Sequence, residues 1–207
     1  PYTSSAASDV YKRQHLMHKA LKTVLGDHVN QAGSMVHPDY LRFDLTHFEK
    51  INQNQIEEIE KIVNDQIIEN KKLNISIKSY ETAKREGAEA LFGEKYGDQV
   101  RVVKVGDFSN ELCGGTHVTR TGDIGMFKII EESSLSAGIR RVVALTGKRA
   151  LKDIQKNQLI LQSLQKSLNI PFSEMVDRVN AIKNEKKDLE RKIKRGFQKN
   201  SLGDLFK

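Results

Sequence analysis

The chain has 207 residues, 38% of them hydrophobic and 29% charged, with a formal net charge of +7, which suits a globular protein of one or two domains. No apolar run approaches the roughly 20 residues that cross a bilayer, no signal peptide opens the chain, and one cysteine cannot staple a secreted fold; a cytoplasmic protein with no membrane attachment is expected. The charge is uneven: Arg149 to Lys207 hold 14 Lys and Arg against 7 Asp and Glu, so the whole excess lies in the C-terminal stretch, as in a surface that meets a polyanion.

The opening PYTSSAASDVYKRQ is small, polar and aperiodic. Residues 1–13 are therefore expected to be a foreign or disordered leader. From His15, HLMHKALKTVLG places Leu16, Met17, Ala20, Leu21, Val24 and Leu25 on one helical face and stops at Gly26. SMVHPDYLRFDLTHF reads as two alternating segments joined at His37-Pro38-Asp39, a hairpin. Ile56, Ile59, Ile62, Val63 and Ile67 repeat at helical spacing. NISIKSY is expected to be a strand, ETAKREGAEALFG one or two short helices, and QVRVVKVGDF a strand that leads into ELCGGTHV. MFKIIEESS and GIRRVVALTG read as two more strands.

After Gly147 the period becomes helical to Leu168, Pro171 breaks it, and a second helix is predicted from Phe172 or Ser173, the serine as its N-cap. Met175, Val179, Ile182, Leu189 and Ile193 give that helix an apolar seam, as in a helical hairpin or short coiled coil. The expected organisation is a leader over 1–13, a domain over 14–147 and a basic helical arm over 148–207.

Chemistry concentrates around the one cysteine. Cys113 and His117 stand four apart with Gly114, Gly115 and Thr116 between them. Two glycines permit a turn that would bring thiolate and imidazole to one zinc ion. The spacing alone is more often a buried cysteine beside an unrelated histidine. His15 and His18 could share a side of the first helix, whereas His28, His37 and His47 stand singly. Gly33, in NQAGSMV, suggests a bulge or close backbone approach, with Gln31 either pointing into a pocket or lying in water. Arg140 and Arg141 point to opposite faces of a strand, so at most one of them lines a given groove.

Six stretches occur in order: HLMHKAL, GDHVNQAGSMV, LRFDLTH, ALFGEKYGD, ELCGGTHVTRTGDIG and AGIRRVVALTG. Together they resemble the editing domain of the alanyl-tRNA synthetase family, followed by the start of its C-terminal helical arm. The resemblance spans about residues 15–207 and is most specific over 15–147. It implies an α+β fold of the threonyl/alanyl second additional type and hydrolysis of tRNA(Ala) mischarged with serine or glycine. It also implies one zinc ion, held at positions matching His15, Cys113 and His117. The family's other histidine falls at Tyr11, and its usual threonine at Gln14.

The resemblance further implies Gln31 in the editing pocket and Gly114, Gly115 and Thr116 beside the acceptor end. Arg140, Arg141 and the basic arm are expected on tRNA phosphates, and the arm is the element through which an oligomer would form. ATP and magnesium would serve only the aminoacylation domain of a parent enzyme, which this segment does not include. The rival readings are a free-standing editing protein and a non-catalytic tRNA-binding or oligomerisation module.

Overall fold

The computed structural model describes residues 4–90, 96–115 and 118–203, with side chains described between 14 and 195. The elements are α1 (Ser4–Leu25), β1 (Gln31–Val36), β2 (Leu41–Thr46), α2 (Gln53–Ile68), β3 (Leu73–Ser79), α3 (Tyr80–Arg85), β4 (Gln99–Val105), β5 (Ser109–Leu112), β6 (Phe127–Ser136), β7 (Ile139–Thr146), α4 (Gly147–Leu168) and α5 (Met175–Gly203). Short 3₁₀ turns occupy Thr121–Ile124 and Phe172–Glu174. The fold is α+β, with antiparallel sheets, as the sequence predicts.

The chain divides into two units, Pro1–Asp153 and Ile154–Lys207, with the division inside α4. In the first unit one sheet has the order β1-β2-β7-β6 and the other β3-β4-β5. Their apolar faces and two helices make one core. Helix α1 contributes Leu16, Met17, Ala20 and Leu21, and α2 contributes Ile59, Val63 and Ile67. The four-stranded sheet adds Leu41, Phe43, Leu45, Phe127, Ile129, Val142 and Ala144, and the smaller sheet adds Leu73, Val103, Val105 and Cys113. On the other face of the small sheet Val100, Val102 and Leu112 pack with Ala83 and Ala88. The small sheet is thus buried on both sides at β4, and the period of 2 decides which residues meet α1.

Several boundaries have identifiable causes. Helix α1 stops at Gly26, whose φ of +112° suits glycine and few other residues. It begins earlier than the periodicity from His15 predicts, because Ser4–Gln14 contains neither proline nor glycine to halt a helix. Asn52 caps α2 through a reciprocal capping box with Gln55. The register of β1 on β2 shifts between Gln31 and Gly33, the expected bulge, and a Cβ at Gly33 would sit 3.4 Å from Asp44 Oδ2. Ser173 lies inside the 3₁₀ turn that precedes α5 and is not its N-cap. The turn's residue at the cap position is Pro171, whose fixed φ starts the chain turning.

In the second unit most of the arm's apolar seam is open to solvent: Met175 is buried, but Val179, Ile182, Leu189 and Ile193 are all exposed.

Candidate metal centre

Helix α1 brings its buried face to strand β5. His15 and Glu111 are both almost completely buried, and the His15 Nδ1 meets Glu111 Oε2 in a short contact. The other carboxylate oxygen accepts a hydrogen bond from Ser109 Oγ at 2.9 Å. Cys113, two residues past Glu111, is buried as well, and its thiol is among the groups that raise the His15 imidazole. Backbone pairing fixes this segment from both sides. Cys113 N donates to Arg101 O at 3.0 Å, and Leu112 N donates to Glu89 O at 2.9 Å.

Burial by itself would lower the His15 imidazole. The Glu111 carboxylate and the hydrogen bonds to Cys113 and Glu111 outweigh it and raise the group to about 10. Burial acts the other way on Glu111, where the His15 charge again prevails and the carboxyl is held below its usual range. Without metal, His15 and Glu111 therefore form a buried ion pair. His18, one turn on, packs its ring against Phe43 at 5.4 Å, and burial lowers its pKa.

The donor set suits zinc at two positions, since a thiol and an imidazole lie together in a dry site with a carboxylate behind the imidazole. Thr116 and His117 lie outside the described residues. Among the described residues no group of three or more His, Cys, Asp or Glu is arranged to hold a metal ion. Position 11 belongs to α1, one turn ahead of His15, so a histidine there would share its face.

The remaining expected site residues are placed as follows. Gln31 is half-buried; its Oε1 accepts from Gln14 Nε2 at 2.7 Å, and its Nε2 donates to Ser34 Oγ at 3.1 Å. The residue before His15 therefore ties α1 to the Gln31 carboxamide. Among the described residues, a Cβ at Gly114 would meet nothing within 4 Å. The Gly115 carbonyl accepts a short hydrogen bond from Arg101 Nη1. Arg141 forms a bidentate pair with buried Asp44 at 2.7 and 2.9 Å, and Arg140 pairs with half-buried Glu132. Both guanidinium groups thus already hold carboxylates.

Sequence reasoning passed over Glu111, Arg101 and Ser109. The signal for Glu111 was present: residues two apart in a strand share a face, so a ligand at Cys113 implies Glu111 beside it.

The threonyl and alanyl tRNA synthetase second additional domain matches residues 100–143, from β4 through Glu111 and Cys113 into β7. Nearly the whole chain is similar to alanine–tRNA ligases. It is 50% identical to that of Alkaliphilus oremlandii over 199 residues, 93% of this chain and 22% of the relative. It is 51% identical to that of Fervidobacterium nodosum over 179 residues, 86% of this chain and 21% of the relative. The Thermotoga maritima enzyme is 50% identical over 182 residues, 88% of this chain and 21% of the relative. The chain spans about a fifth of the length of the curated relatives it matches.

Proposed function

We propose that this segment is the hydrolytic editing domain of an alanine–tRNA ligase, acting on tRNA(Ala) mischarged with serine or glycine. The observation that carries the reading is the buried contact of His15 with Glu111, two residues before the buried Cys113; Glu111 and Cys113 lie within the stretch that matches the synthetase second additional domain. A synthetic pocket built for alanine rejects an added hydroxyl by only about a hundredfold in comparable cases, so a second hydrolytic site meets a chemical need. The substrate is the aminoacylated acceptor end of tRNA(Ala), met in the cytoplasm.

His15, Cys113 and His117 would hold one zinc ion, which supplies a fixed positive charge for the aminoacyl group or its attacking water. Gln31, steadied by Gln14, is placed to orient the substrate by its carboxamide. At Gly114, where a Cβ would meet no described residue within 4 Å, the acceptor end would approach the backbone. ATP and magnesium belong to the aminoacylation reaction of the longer enzyme. The similarity to full-length ligases continues past residue 147 into the arm, which favours this reading over a free-standing editing protein.

Deacylation assays test the reading. The chain, and its Tyr11→His variant with the family's helical histidine pair, should release serine from Ser-tRNA(Ala) and spare Ala-tRNA(Ala). Equal rates on both, or hydrolysis of neither by either protein, would overturn it. Metal analysis should find about one zinc per chain, lost on Cys113→Ala.

A further inference from the structure

Glu111 has no assigned part in the chemistry, yet it is the most constrained side chain of the site. Its backbone is paired on both sides, to Val103 of β4 and through a parallel bridge to Glu89. One carboxylate oxygen is taken by the Ser109 hydroxyl, and the other faces His15 Nδ1. An ionised carboxylate is acceptor-only, so the imidazole nitrogen that meets it must carry a hydrogen. In a neutral imidazole the lone pair then belongs to Nε2. That is the electronic state a metal-ligating histidine needs, and a carboxylate behind the ring also raises its basicity as a ligand.

We propose that Glu111 is the positioning residue of the zinc centre: its carboxylate, oriented by Ser109, fixes the His15 tautomer and ring so that Nε2 ligates the metal. The proposal rests on the zinc reading above. Glu111 touches neither substrate nor metal; it acts through His15. Two sequence-adjacent features are thereby coupled, because Glu111 as support lies in β5 and Cys113 as ligand follows one residue past its end, its N–H still paired to Arg101 of β4. Ligand and supporting group therefore shift together if the strand moves.

The test is zinc affinity, measured by competition with a chromophoric chelator, on the full chain and on the Tyr11→His chain. Glu111→Ala should weaken zinc binding about 10- to 100-fold. Glu111→Gln should weaken it less, since the carboxamide oxygen still accepts from Nδ1–H but carries no charge. Ser109→Ala should have the smallest effect. Imidazole ¹⁵N shifts give a readout that a merely structural role would not move. The metal-loaded parent should show His15 protonated at Nδ1 and metal-bound at Nε2, and Glu111→Ala should lose that single state. Thermal unfolding with chelator present establishes which variants fold.

If folded Glu111→Ala binds zinc as tightly as the parent, Glu111 is not the positioning residue and the zinc reading stands. If Glu111→Ala does not fold, unchanged affinity in both Glu111→Gln and Ser109→Ala overturns the proposal. If neither parent chain binds zinc, the zinc reading falls and this proposal with it.

Discussion

Arg140 and Arg141 are adjacent cations on β7 with different carboxylates: Arg140 holds Glu132, and Arg141 holds Asp44 in a two-point clamp with Arg42 Nε 3.7 Å away. Asp44 is 5% exposed, so removing its bidentate partner strands most of a buried charge. Arg141→Ala should lower the unfolding free energy by about 1–3 kcal/mol, measured by urea titration. Arg141→Lys should recover only part, because an ammonium cannot reproduce the planar fork. A change within a few tenths for Arg141→Ala would show the pair to be energetically idle. His47 offers a second residue-scale test. Its Nδ1 lies 2.8 Å from His28 Nε2, so the histidines read as solitary in the sequence are a pair. Burial and then the His28 charge lower the His47 pKa, Glu49 and Glu132 raise it, and Arg140 lowers it further. A depressed pKa means the unfolded chain takes up the proton first as pH falls, so the contribution to stability is present above about 6.5 and lost below it. Between about pH 7.5 and pH 5.5 the parent should lose more stability than His47→Gln; equal losses would sink the idea. At this scale the sequence exposed the ligand types but not their supports. Cys113 and His15 were legible from motif and order. The partners of His15, Gln31 and Arg141 lie 96, 17 and 97 residues away, where no local pattern reaches.

The elements were legible wherever burial enforced a period. Helix α2 and strands β4, β6 and β7 follow the apolar spacing closely, because each has one or both faces in a core; β3 alternates too, but only Leu73 at its start is buried, and Ile75 and Ile77 are exposed. The short β5 was not predicted, because four residues are too few to show a period. The 3₁₀ turn at Thr121–Ile124 had no signature either; Thr121 makes it, accepting from Lys71 N at 2.9 Å and donating to Gln66 O at 2.7 Å. Nor could the sequence show how the exposed edge of the larger sheet is protected. Strand β6 lies at that edge, and α2 covers it with polar side chains. Asn64 Oδ1 accepts from Phe127 N at 2.9 Å while its Nδ2 donates to Phe127 O at 2.9 Å, and Glu60 Oε1 accepts from Ile129 N at 2.6 Å. These bonds satisfy ladder groups that would otherwise invite another strand. Asn64→Ala should therefore cost about 1–3 kcal/mol in urea unfolding, and the variant should aggregate faster on warming, followed by light scattering. An unchanged unfolding midpoint would show that water replaces the asparagine without loss.

At the scale of the whole molecule, the candidate site and the net charge lie in different parts of the chain. His15, Gln31, Glu111 and Cys113 all lie in the first unit, whereas the formal charge is balanced through residue 148 and the net +7 resides from Arg149 onward. The two β7 arginines expected on phosphates are engaged with Asp44 and Glu132. Positive charge for a polyanion is thus found on α5, where Lys187, Lys192 and Lys194 are exposed. A protein that neutralises phosphates releases counterions, and the logarithm of its affinity falls linearly with the logarithm of salt. Neutralising these three lysines together, as Lys187→Ala, Lys192→Ala and Lys194→Ala, should weaken tRNA binding in fluorescence anisotropy. The salt slope, taken from about 50 to 200 mM, should become shallower by about one for each phosphate that is no longer neutralised. Zinc affinity should not change, because the substitutions leave every residue of the buried centre in place. The thermal midpoint should stay close to the parent's, as expected for solvated surface positions. A slope equal to the parent's would move the tRNA-binding surface off the arm and back onto the first unit. Arg140 and Arg141 would then have to exchange their carboxylates for phosphates on binding, and Arg140→Ala would become the substitution that flattens the salt dependence.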